Sequence, residues 1–96
     1  MPVEPRPRKL GRVSEQVKQY LAAAPDAAVD ELAWVLDCLN SGDSDCWNRL
    51  PMSESRARPG RMTVLLSSGD ILVWQPYLDY PDLYAVFYVG PASPFV

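Results

Sequence analysis

The chain has 96 residues, 48% of them hydrophobic and 22% charged, with ten prolines, two cysteines, no histidine and a formal charge of −3. That length supports a single domain and the composition excludes wholesale disorder. No run approaches the roughly 20 apolar residues of a membrane helix, and the Pro- and Arg-rich start lacks the apolar core of a signal peptide. The missing histidines remove serine, cysteine or metal chemistry that depends on imidazole.

Residues 1–11 (MPVEPRPRKLG) alternate proline with charge. Prolines at 2, 5 and 7 withhold backbone donors, so the segment reads as a flexible Pro/Arg-rich arm that is dispensable for folding. One α+β domain is expected over 12–91, with 92–96 as a tail. From Arg12 onward, Val13, Val17, Tyr20, Leu21 and Ala24 recur at helical spacing until Pro25 stops them. Asp26 fits an N-cap, and Val29, Leu32, Val35, Leu36 and Leu39 form the stripe of a second helix that Asn40-Ser41-Gly42 ends. Asp45 to Leu50 makes one helical turn before Pro51, and Ser53–Gly60 reads as an exposed loop.

Three β-type runs follow. Met62–Leu66 and Ile71–Gln75 are joined by the hairpin connection Ser67-Ser68-Gly69-Asp70, and a loop from Pro76 to Asp82 leads into Leu83–Val89. The expected fold is therefore two N-terminal helices followed by a three-stranded antiparallel meander. In the last run, strict alternation puts Leu83, Ala85, Phe87 and Val89 on the core face and Tyr84, Val86 and Tyr88 on the other. Neither face is polar. Two helices cover only one side of three strands, so the second face calls for the arm, a loop, a second copy or another protein.

The charges are segregated. Residues 1–18 carry five bases against two acids, 19–48 carry six acids and no base, and 49–61 carry Arg49, Arg56, Arg58 and Arg61 against Glu54. The four arginines form a candidate anion-binding patch. Seven of the ten aromatics, however, lie beyond Met62, where no base occurs. Single-strand binders mix rings with bases, and the pI of 4.7 is low for nucleic acid, so a nucleic-acid partner is not expected. Asp43-Ser44-Asp45 meets only half of a calcium-loop pattern and reads as a capping turn. No phosphate loop or nucleophile elbow occurs, so no metal, cofactor, small-molecule substrate or catalytic residue is assigned and no enzyme is expected. Cys38 and Cys46 read as free thiols of a cytoplasmic protein.

Trp74, Tyr77 and Tyr80, flanked by Asp79 and Asp82, read as one aromatic protein-binding patch on a loop stiffened by Pro76 and Pro81. The rings folding back over the sheet edge is the alternative. The order helix, helix, meander, with Arg49-Leu50, Gly60-Arg61, Ser68-Gly69-Asp70 and the closing Tyr84-Ala85-Val86-Phe87-Tyr88-Val89-Gly90-Pro91, resembles the RelE/ParE toxins. That resemblance implies a toxin fold, although the family's basic residues on the middle strands are Thr63, Val64, Leu72 and Val73 here. Residues 64–93, through Val64-Leu65-Leu66, Trp74, Pro81 and Gly90-Pro91-Ala92-Ser93, look like MbtH-like proteins, which implies an activator of an adenylation domain. From the residues themselves, the expected function is a small non-catalytic protein-binding module: an inhibitor, antitoxin-like or accessory protein, or a homodimer.

Overall fold

The computed structural model describes residues 3–55 and 58–92. Over them the chain runs β1 (Lys9–Val13), α1 (Glu15–Ala23), α2 (Asp26–Ser41), α3 (Ser44–Arg49), β2 (Met52–Glu54), β3 (Met62–Leu65), β4 (Ile71–Pro76) and β5 (Leu83–Gly90). The strands make one mixed sheet in the order β1-β5-β4-β3-β2. This corrects the expected two helices and three-stranded antiparallel meander. The meander β3-β4-β5 is present, but a strand is added at each side and a third helix precedes it.

Both added strands come from segments read as irregular. Proline stops at Pro7, so Lys9–Val13 has its backbone donors and pairs in parallel with β5, Lys9 opposite Leu83 and Val13 opposite Val86. Gly11 sits at the irregularity in that register, where the Tyr77 ring leaves no room for a Cβ. Upstream, Arg6 and Pro7 cross the C-terminal end of α2 so closely that a side chain at Gly42 would strike their backbone. The arm expected over 1–11 is thus extended but tied down, and the boundary placed at residue 12 falls inside β1. On the other side, Met52–Glu54 pairs antiparallel with β3, Ser53 opposite Thr63. Three residues are too few to show a period of two.

The helices follow local chemistry. The Ser14 hydroxyl caps α1 by accepting from the Val17 amide, and the same hydroxyl donates to the Phe87 carbonyl on β5. Pro25 is the N-cap of α2, placing Asp26 in the first turn, and Gly42 closes it in the left-handed conformation at φ 66°. Asp43 caps α3 by accepting from the amides of Asp45 and Cys46. The turn between α2 and α3 brings Cys38 and Cys46 to a Cα separation of 5.3 Å, and they are disulfide-bonded. The reading of both as free thiols is corrected: a buried position in the last turn of α2 faces straight onto the first turn of α3.

All three helices pack on one face of the sheet. Their core joins Val17, Leu32, Val35, Cys38, Leu39 and Trp47 to Met62, Val64, Leu72, Trp74, Tyr84, Val86 and Val89. The face assignment in β5 is therefore reversed at Tyr84 and Val86. The cause is a bulge: Trp74 pairs with Val86 and Val73 with Tyr88, so Phe87 is an extra residue and joins Tyr88 on the outer face. The outer face is largely covered by the chain itself. Arg61 lies over the Phe87 ring at 4.5 Å, Tyr88 folds over Gly90 and donates to the Pro91 carbonyl, and Ile71, Val73 and Ala85 are buried. Among the described residues, no helix is long and apolar enough to cross a membrane.

Candidate functional site

The residues expected to form one aromatic patch are separated. Trp74 is fully buried on the helix side of β4, edge-on to Trp47 at 5.7 Å and to Tyr84 at 5.8 Å. It cannot meet a partner, and its place in the binding patch is corrected. Tyr77 is half-buried, its ring folded across the outer face onto Gly11. The edge-covering alternative describes Tyr77.

Tyr80, Asp79 and Asp82 are exposed, and Leu78, which the sequence reading passed over, is more so: it is 97% exposed against 65% for Tyr80. An isolated exposed apolar residue is ordinary, but two within three residues at the tip of one loop are not. The loop is held at both ends. The Tyr77 amide donates to the Leu83 carbonyl at 2.9 Å, and the Leu83 amide donates to the Tyr80 carbonyl at 2.9 Å. The N-terminal segment holds it from the side: the Lys9 amide donates to the Asp82 carbonyl, Arg6 pairs with the Asp82 carboxylate, and Arg8 Nε donates to the Pro81 carbonyl. Asp82 is thereby engaged within the chain, and Asp79 is the exposed acid of the loop without an ion pair among the described residues.

Beneath this loop lies a feature that composition did not reveal. Arg8 is only 5% exposed and its guanidinium carbon is 5.5 Å from both the Trp47 and the Trp74 ring centroids. Ring quadrupoles attract such a cation, and desolvation lowers the pKa of Arg8, followed by repulsion from Arg6. Among the described residues, Arg8 Nη1 and Trp74 Nε1 are both buried donors without an acceptor. Tyr84 completes the group, donating its hydroxyl to Asn40 Oδ1 at 2.7 Å. Burial, with Asp37 adding, pushes the Tyr84 phenol up to about 12. The neutral phenol is the form the fold favours. Its contribution is therefore complete below the ordinary phenol value near 10 and is lost as pH rises from about 10 to about 12. Urea unfolding measured between pH 8 and pH 11.5 is expected to show stability falling above pH 10, with a shallower fall for Tyr84→Phe. An equal fall in both proteins would contradict the assignment.

The described arginines of the expected anion-binding patch stand in different settings. Arg49 is exposed in the last turn of α3, Arg58 is exposed in the turn before β3, and Arg61 is half-buried against Phe87, where desolvation and Arg58 lower its pKa. Arg56 lies outside the described residues. On the middle strands, Val64 and Leu72 point into the core and Thr63 and Val73 to the outer face, so no ionisable side chain stands at those four positions. Among the described residues, no group of three or more histidine, cysteine, aspartate or glutamate side chains is placed to hold a metal ion. No protein-family model, no curated protein and no solved structure matches this chain.

Proposed function

We propose that the protein is a non-catalytic protein-binding module whose contact surface is loop 77–82, with Leu78 and Tyr80 as its anchors. The observation that carries this reading is a pair of large side chains in water, Leu78 wholly and Tyr80 about two-thirds exposed, on a loop whose backbone is already fixed. Ordering costs oppose association, and a loop pinned by Pro76, Pro81 and five hydrogen-bond or ion-pair contacts loses little further freedom when its ring and aliphatic tip are covered. Asp79 favours a partner, or a second copy, that presents a basic rim to the loop.

The test is a double variant, Leu78→Ala with Tyr80→Ala. Neither side chain is packed, so its thermal midpoint is expected within a few degrees of the parent. Association is expected to weaken about 30-fold or more, as for hot-spot residues. Light scattering reports self-association, and capture on the immobilised parent and variant side by side reports other partners. Equal association by the two proteins would overturn the reading.

A further inference from the structure

We propose that the crevice between α1 and α2 is a binding site for a small aliphatic carboxylate of about eight carbons, independent of loop 77–82. Val17 and Leu21 on α1 face Leu32 and Leu36 on α2, and Leu72 and Val86 of the sheet lie at the bottom. The space between them is about 210 Å³, and every side chain lining it is aliphatic. An aliphatic cavity of about 150 Å³ stays dry and accepts benzene, so this one takes a single chain of roughly eight carbons.

The opening settles the head group. Leu10 and Val29 line the crevice and are exposed at 38% and 36%, so it opens to solvent beside β1. Leu10 and Val13 also line a second, wider depression that contains Arg12, Glu15 and Lys18. Two cations against one carboxylate thus stand beside the Leu10 and Val13 end of the crevice. A cationic amphiphile would be repelled there, and a neutral one would gain nothing from Arg12 and Lys18. A partner helix, roughly 10 Å across with its side chains, is too wide for the space, whereas an alkyl tail fits with its carboxylate in the basic mouth.

Calorimetric titration of the full chain with sodium octanoate tests this. Saturable binding of one octanoate per chain is expected, with 1-octanol binding more weakly. Arg12→Gln combined with Lys18→Gln should weaken octanoate about tenfold and leave 1-octanol unchanged, since two exposed ion pairs are removed and the cavity is not. Ala33→Trp, on the exposed side of the lining, should block both ligands, and Val29→Trp serves the same purpose if that variant does not fold. Shifts of the Leu21 and Val86 methyl resonances on adding octanoate place the tail independently. Absence of saturable binding, more than one equivalent bound, binding retained by the folded tryptophan variants, or octanoate affinity unchanged by the double charge variant would each overturn the proposal.

Discussion

Replacing Trp74 with alanine is expected to lower the free energy of unfolding by about 3–5 kcal/mol, measured by chemical denaturation. Its ring is fully buried, stands edge-on to Trp47 and Tyr84, and forms one of the two faces against which Arg8 is held. Alanine would leave a void among groups already packed at fixed angles, and would leave the buried guanidinium with one ring instead of two. Against a total of about 5–15 kcal/mol for a domain of this kind, that is enough to bring the chain near its unfolding threshold. Phe87→Ala is expected to cost only about 1–2 kcal/mol. The bulge puts that ring on the outer face, half-covered by Arg61. A larger loss at Phe87 than at Trp74 would restore the face assignment drawn from strict alternation.

Deleting Met1 to Gly11 is expected to cost about 3 kcal/mol or more, which for a chain of this size lowers the thermal midpoint by roughly 12–24 °C. The deletion removes Arg8 from its place against Trp47 and Trp74, opening both rings to water. It also removes most of β1, leaving β5 as an unpaired edge, and takes away the Arg8 and Lys9 amide bonds to Asn40 and Asp82. Desolvating Arg8 offsets part of this gain in the intact chain, so the loss is smaller than burial alone implies. A midpoint within a few degrees of the parent would show that the segment does not stabilise the domain.

Where the governing interaction is local, the residues reveal it. Pro25, Gly42 and Pro51 bound the helices because each acts on its own turn, and Ser67–Asp70 closes a hairpin because the strands it joins are neighbours. Where the partner is distant, they do not. Lys9–Val13 becomes a strand only because β5, more than seventy residues later, offers an edge in parallel, and no period within five residues announces that pairing. One inserted residue at Phe87 shifted the alternation of the second half of β5 and with it the choice of core face. Two cysteines are too few to suggest a disulfide scaffold, whereas the deciding quantity is the turn that sets their Cα atoms 5.3 Å apart. In the loop, Tyr80 and Asp79 were legible as surface residues because prolines bracket them. Trp74 does not belong with them: an aromatic at a strand's end fits either side, and only the packing of Trp47, Tyr84 and Arg8 decides which.

The N-terminal segment is the common element: it packs Arg8 against two tryptophans, pins loop 77–82 and walls the crevice beside α1. Amide hydrogen exchange of the intact protein tests that role directly. The Arg8, Lys9 and Ser14 amides, which donate to Asn40, Asp82 and Val86, are expected to be protected to nearly the same degree as the amides of β4. Exchange of these three amides at the rate of an unstructured peptide, while β4 stays protected, would contradict the account.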